Sequence, residues 1–117
     1  MMVALAAYQK IDTASLAVFS PTVMRQVLRG SLGFNGVVVS DDLGATAAVA
    51  TIPAADRAIN FLTAGGDMII SKTVAPADAM ATAISSRASA DASFKARVDD
   101  AVLRVIRAKI SYGLARC

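Results

Sequence analysis

The sequence contains no glutamate and no histidine, so that all nine acidic residues are aspartates. General acid–base chemistry in this chain is therefore restricted to aspartate, tyrosine, lysine and one cysteine. A Cys/His metal cluster is absent, and so are a phosphate-binding loop ending in Lys-Ser/Thr and a Gly-x-Gly-x-x-Gly motif after a strand. The sequence accordingly predicts no metal site and no cofactor.

The only cysteine, Cys117, excludes an internal disulfide, although a free thiol at this position could cross-link two chains. No apolar run approaches the roughly 18 residues of a membrane span. Met1 to Tyr8 is apolar but lacks a basic region before it. This pattern predicts a buried strand and no signal peptide, with the cytoplasm as the default compartment.

Positive charge is concentrated late in the chain. The net charge is +3, and residues 94–117 carry six Lys/Arg against two Asp, whereas residues 1–93 carry six against seven. No aromatic residues are interleaved with these bases, which is typical of a solvated helix face and not of a nucleic-acid footprint. No nucleic-acid partner is expected.

Hydrophobic periodicity predicts one α/β domain with the order β-α-β-α-β-α-α and right-handed parallel crossovers. Gly65-Gly66 and Gly113 are predicted to stop helices. The expected strands are 1–8, 36–41 and 67–71, and the expected helices are about 21–32, 53–64, 76–87 and 94–110, with a polar break at 88–92.

The middle strand carries the most informative pattern. Three consecutive valines before Ser40 suit a strand that is buried on both faces, as in parallel sheets flanked by helices. Asp41 and Asp42 follow at its carboxyl end, where α/β barrels and open α/β sheets place their catalytic residues. From position alone, Asp41 is equally well explained as the N-cap of a following helix.

This region resembles the active-site signature of family 3 glycoside hydrolases. A second Asp followed by Leu and a small residue is more like the β-N-acetylhexosaminidase branch than the β-glucosidases, which usually carry an aromatic residue there. The resemblance implies that Asp41 is the catalytic nucleophile of a retaining glycosidase. The matching stretches are Val27-Leu28-Arg29, Leu32-Gly33-Phe34-Asn35-Gly36 and Val37-Val38-Val39-Ser40-Asp41-Asp42-Leu43-Gly44.

The resemblance also implies a partial fold. An eight-fold (β/α) barrel usually needs about 250 residues, so residues 1–117 correspond to its last three β/α units plus a C-terminal helix. We therefore expect the C-terminal portion of a family 3 catalytic barrel, as a fragment or truncated product. The family's acid/base, an Asp-His pair on an earlier loop, has no counterpart in this sequence.

Two positions depart from the family pattern. Relatives commonly carry a histidine facing the sugar where this chain has Leu5, so a polar contact is lost. Ser31 replaces an acidic or amide residue on a helix that should face solvent. Leu5 indicates relaxed selection or a changed subsite, and Ser31 is the milder departure.

Other polar residues are weaker site candidates. Asp12, on a loop after the first strand, is predicted to contact substrate, whereas Asp67 begins a strand and should lie at the opposite end of the sheet. Ser71 and Lys72 follow the last strand and could line the pocket. Asp42 is expected to support the loop, because neighbouring strand residues point to opposite faces.

Two functions of different classes follow. The chain is either the nucleophile-bearing part of a β-N-acetylhexosaminidase, acting on an N-acetylglucosaminide when completed, or a non-catalytic α/β module that serves as an interaction surface. Under both functions the outer strands keep apolar edges without a neighbouring strand, so we expect the chain to self-associate through these edges.

Overall fold

The computed structural model describes residues 1–116, and the expectations for Cys117 lie outside them. The chain forms three short strands and four main helices in the predicted order, with one-turn 3₁₀ helices at Ala17–Phe19 and Ala47–Val49. The strands are β1 (Met2–Val3), β2 (Val39–Asp42) and β3 (Met68–Ile70), and the helices are a π-helix (Thr22–Ser31), α1 (Ala54–Ala64), α2 (Val74–Ala90) and α3 (Ala92–Ser111).

The strands form one parallel sheet in the order β1-β2-β3, which confirms the predicted α/β class. Met2 pairs with Val39, and Val39 pairs in turn with Met68. The register shifts between Val39 and Asp42, where β2 gains one residue relative to β3. The strand that carries Asp41 is therefore central, with a neighbour on each side.

Element boundaries differ from the predicted ones where tertiary hydrogen bonds decide them. The first strand ends at Val3 and not near Tyr8. The second begins late, because the Val38 amide donates to the carboxylate of Asp67 and not to a neighbouring strand. Helix α2 starts ahead of Pro76, and the predicted polar break is reduced to Asp91, which caps α3.

The helices cover one face of the sheet. The main core joins sheet residues to side chains of the π-helix, α1 and α2. Ser40 is fully buried on this covered face, whereas Met2 on the other face is 63% exposed. The core consists of Val3, Ala17, Val18, Met24, Leu28, Val38, Leu43, Val49, Ala58, Phe61, Ala64 and Met80.

The end of α1 shows why two glycines follow it. Gly65 has a φ of 124°, in the region that L side chains rarely adopt, and so ends the helix as predicted. Gly66 is packed against the ring of Phe61, which occupies the space that a β-carbon would need. Phe61 is fully buried.

Within residues 1–116, every helix falls short of the length and apolarity that crossing a membrane requires.

Candidate active site

Asp41 lies at the carboxyl end of the central strand, in agreement with the sequence prediction. The burial of β2 alternates, with Val39 and Asp41 half-buried and Ser40 and Asp42 buried. Since alternate strand residues share a face, the Asp41 side chain lies on the uncovered face of the sheet. It thus stands at the rim, where parallel sheets place reactive groups.

The Asp41 carboxylate makes few contacts with polar groups. Its Oδ1 accepts a hydrogen bond from the amide of Asp42, at 2.7 Å. Within residues 1–116 no cation lies within ion-pair distance of it. The second oxygen is therefore open to a ligand.

Asp42 has the opposite character. It is 3% exposed and accepts hydrogen bonds at Oδ1 from the amides of Gly44 (2.9 Å) and Lys72 (3.0 Å). At Oδ2 it accepts from the Ala45 amide and the Thr46 hydroxyl, both at 3.3 Å. The amide of Lys72, followed by those of Gly44 and Ala45, lowers the pKa of this carboxyl despite its desolvation. Asp42 thus joins the loop after β2 to the loop after β3, as an ionised acceptor.

Arg57 reaches the same loop from the other side and was missed by the sequence analysis. From helix α1, its Nη1 donates to the carbonyl oxygens of Leu43 (2.7 Å) and Gly44 (3.1 Å), and its Nε donates to Ile52 (2.6 Å). The side chain is buried among backbone oxygens. A signal existed, because Arg57 lies four residues before Phe61 on the apolar stripe of α1.

Position 44 has little room for a side chain. The Ser71 hydroxyl occupies the place that a β-carbon of Gly44 would take. Ser71 itself donates to the carbonyl oxygen of Thr73, at 2.7 Å, and Lys72 is exposed. The loops that follow β2 and β3 therefore pack directly against each other beside Asp41.

Asp12 is engaged within its own loop. Its Oδ1 accepts from the amides of Ala14 (2.9 Å) and Ser15 (3.2 Å), and its Oδ2 accepts from the Ser20 hydroxyl at 2.6 Å. The Ser20 bond is the main reason that the pKa of Asp12 is lowered. Ser20 also accepts from the Val23 amide, so this network lies at the start of the π-helix. Contact between Asp12 and substrate stays a prediction.

Leu5, at the position where relatives commonly carry a histidine, packs against the main core. Its side chain adds apolar contact on the helix-covered side of the sheet. It supplies no polar group to the rim.

Asp67 lies at the amino end of β3, away from the rim, as its position in the sequence predicts. Its side chain is fully buried and forms ion pairs with Arg29 (2.7 Å), Arg97 (2.8 Å) and Arg104 (3.2 Å). Arg104 also pairs with Asp100, at 2.5 Å. This charged cluster anchors α3 beneath the amino ends of the strands.

No cluster of three or more potential metal-ligating Asp, Glu, His or Cys side chains occurs in residues 1–116. A groove of about 440 Å³ runs between β3 and α3, and a wider one of about 850 Å³ lies between the amino end of the sheet and α3. Asp41 lines neither groove. Its carboxylate lies on an open rim.

Comparison with known protein families identifies the family of this chain. Residues 1–108 match the family described as glycosyl hydrolase family 3 N terminal domain. The chain belongs to glycoside hydrolase family 3. The resemblance seen in the sequence around Asp41 is thereby confirmed at the level of the family.

Curated family 3 relatives are β-hexosaminidases. The chain is 46% identical over 70 residues to the β-hexosaminidase of Alkalilimnicola ehrlichii and 43% identical over 70 residues to that of Nitrosospira multiformis. Each match covers 60% of this chain and 20% of the relative. The chain thus spans about a fifth of these family 3 enzymes.

Solved family 3 structures share the fold. The β-N-acetylhexosaminidase of Beutenbergia cavernae is 43% identical, with a TM-score of 0.85 over 92% of this chain and 32% of that enzyme. The β-N-acetylglucosaminidase of a Paenibacillus species is 25% identical, with a TM-score of 0.82 over 99% of this chain and 23% of that enzyme.

Proposed function

We propose that this chain is the nucleophile-bearing segment of a retaining β-N-acetylhexosaminidase and forms the last three β/α units of its barrel. One observation carries the proposal: in a family 3 chain, Asp41 presents a free carboxylate oxygen at the rim of the central strand. The relatives' names support hexosaminides as the substrate class.

In the proposed first step, Asp41 attacks the anomeric carbon of the sugar. A bond forms from its carboxylate oxygen to that carbon while the bond to the leaving-group oxygen breaks, which gives a covalent glycosyl-enzyme. A general acid protonates the leaving group. Water then attacks the same carbon, releases Asp41 and gives net retention of configuration.

Asp42 is unsuited to be that acid. The two carboxyl groups of a retaining site flank one bond and lie about 5–5.5 Å apart, whereas the side chain of Asp42 lies on the opposite face from Asp41 and is buried. Its lowered pKa keeps it ionised at neutral pH. As the family resemblance implies, we infer that the acid comes from residues outside 1–117, and positioning of the loop is the role left to Asp42.

The isolated chain should accordingly hydrolyse an aryl β-N-acetylglucosaminide no faster than background. Loss of a positioned general acid typically lowers the reaction rate by about 10²–10⁴-fold. Robust turnover by the purified chain, abolished by Asp41→Ala, would contradict the expectation that the acid is missing.

A chimera tests the nucleophile directly. Residues 1–108 replace the matching segment of the Beutenbergia cavernae enzyme, and hydrolysis of the same aryl glycoside is measured. Asp41→Asn should then lower kcat/KM by at least about 10³-fold. The matched control is Asp78→Asn on the exposed surface of α2, which should retain full activity.

The alternative is a non-catalytic α/β module, favoured by the apolar packing of Leu5. A folded chimera that is inactive would support this alternative.

A further inference from the structure

The pairing of β2 with β3 is irregular beside Asp41. Val39 pairs with Met68 and Asp42 pairs with Ile70, so β2 advances three residues while β3 advances two. A bulge of this kind leaves one residue of its strand without a partner and bends the strand, and next to active sites such bulges redirect side chains. Because this bulge lies between Val39 and Asp42, it includes Asp41.

Side-chain oxygens of β2 accept the amides of the neighbouring strand at this bulge. In a regular parallel ladder the amides of Ile70 and Lys72 would donate to the carbonyl oxygens of Ser40 and Asp42. Here the Ile70 amide donates to the Oγ of Ser40, at 2.9 Å, and the Lys72 amide donates to the Oδ1 of Asp42, at 3.0 Å. Ser40 is fully buried, so water is not available to replace its hydroxyl.

The irregular pairing leaves the backbone amide of Asp42 to the nucleophile. In the regular register this amide would donate to the Ile70 carbonyl oxygen, which accepts from the Leu43 amide, at 2.9 Å. The Asp42 amide donates to the Oδ1 of Asp41, at 2.7 Å. One oxygen of Asp41 is thereby held, and the other stays open to the sugar.

We propose that Ser40 is a positioning residue for Asp41, because its buried hydroxyl maintains the bulge that lets the Asp42 amide orient the nucleophile. The inference rests on the proposed function, in which Asp41 attacks the anomeric carbon. During the attack the amide holds Oδ1 while the other oxygen forms the new bond. When water later breaks that bond, the same amide stabilises the negative charge that returns to Asp41.

The chimera that contains residues 1–108 tests this role. Ser40→Ala removes the side-chain acceptor of the Ile70 amide, and displacement of a reacting group by about 1 Å can cost about 10²-fold in rate. We expect kcat on the aryl β-N-acetylglucosaminide to fall at least about tenfold, with little change in KM, because Ser40 is buried away from the sugar. An unchanged kcat in the folded variant would overturn the proposal.

A shape-matched pair of variants separates the hydroxyl from its packing. Threonine and valine have nearly the same shape, but only threonine retains a hydroxyl oxygen that can accept the Ile70 amide. Ser40→Thr should therefore keep most of the parent kcat, whereas Ser40→Val should lose as much as Ser40→Ala. Equal losses in the two variants, both folded by circular dichroism, would contradict the role of the hydroxyl.

The effect of reduced stability alone is measured with Met80→Ala. Met80 is buried in α2, takes no part in the pairing of β2 with β3, and leaves a cavity in the core when truncated. This variant should lower the thermal midpoint at least as far as Ser40→Ala does. At an assay temperature well below both midpoints it should keep the parent kcat. A loss of kcat as large as that of Ser40→Ala would refute a specific role for Ser40.

Failure of this inference is distinguishable from failure of the proposed function. If Asp41→Asn abolishes turnover while Ser40→Ala retains it, Asp41 is the nucleophile and the role of Ser40 is refuted. If Asp41→Asn retains turnover, or if the folded parent chimera has none, the proposed function is refuted and the inference with it.

Discussion

At the scale of single residues, the chain uses its two adjacent aspartates in different ways. Asp41 keeps an oxygen free on the uncovered face, whereas Asp42 accepts donors from two loops on the covered face. Arg57 donates to carbonyl oxygens of the same β2 loop. The loop that follows Asp41 is thus held by the neighbouring carboxylate of Asp42 and by the buried guanidinium of Arg57.

Asp67 should be the carboxylate on which stability depends most. Asp67→Asn leaves Arg29, Arg97 and Arg104 facing a neutral group in a buried site, and breaking such a cluster typically costs about 3–5 kcal/mol. Urea unfolding followed by circular dichroism, carried out on the chimera that contains residues 1–108, measures this loss.

The matched control for that experiment is Asp99→Asn. Asp99 pairs with Lys95 one turn away on the surface of α3, where such pairs contribute less than about 1 kcal/mol. Equal shifts in the urea midpoint for the two variants would show that the buried cluster is not a principal source of stability.

At the scale of elements, periodicity predicted which helices and strands form, while their ends were set by side chains far away in sequence. Apolar stripes were enough for α1 and α3. The start of β2 was not predictable locally, because it depends on Asp67, 29 residues later. The position of Asp41 was predictable because it follows directly on the apolar residues of β2. The contact of Arg57 with the loop after β2 was not, because only the tertiary fold brings α1 to that loop.

The junction between α2 and α3 depends on Asp91. Its Oδ1 accepts from the hydroxyl and amide of Ser93 and from the amide of Phe94. These bonds, with the ion pair to Arg87, lower the pKa of Asp91 from 3.8 to about 2. The cap therefore stabilises α3 fully above the unfolded-state pKa, and this contribution is lost as pH falls from about 4 through 2.

Asp91→Ala should accordingly lower the urea midpoint at pH 7, and its difference from the parent should shrink between pH 4 and pH 2. Asp91→Asn retains a capping oxygen without a titrating charge, so its pH dependence in this range should be weaker than that of the parent. Asp78→Ala serves as the exposed control. A parent–Ala difference that stays constant down to pH 2 would contradict the assigned cap.

At the scale of the whole molecule, the fold is one-sided. Helices bury one face of the three-stranded sheet, whereas Met2, Met68 and Ile70 are exposed, and within residues 1–116 neither outer strand has a further strand neighbour. A net charge of +3 gives little repulsion between copies. Apolar surface in this arrangement favours association with any complementary surface.

The purified chain alone should therefore self-associate or remain loosely packed. Size-exclusion chromatography with light scattering at several concentrations measures the association, and thermal unfolding measures the cooperativity. A sharp monomer peak near 12.0 kDa with a cooperative transition would show that the one-sided fold is self-sufficient.

The buried arginine cluster also has a consequence for the order in which the chain folds. Asp67 meets Arg29 from 38 residues earlier, but Arg97 and Arg104 come 30 and 37 residues later. During synthesis the acid emerges well ahead of two of the three cations that neutralise it. Because contacts this distant in sequence form slowly, the ion pairs of Asp67 with Arg97 and Arg104 can form only after most of α3 has been translated, whereas Arg29 precedes Asp67 and is available to it from the start.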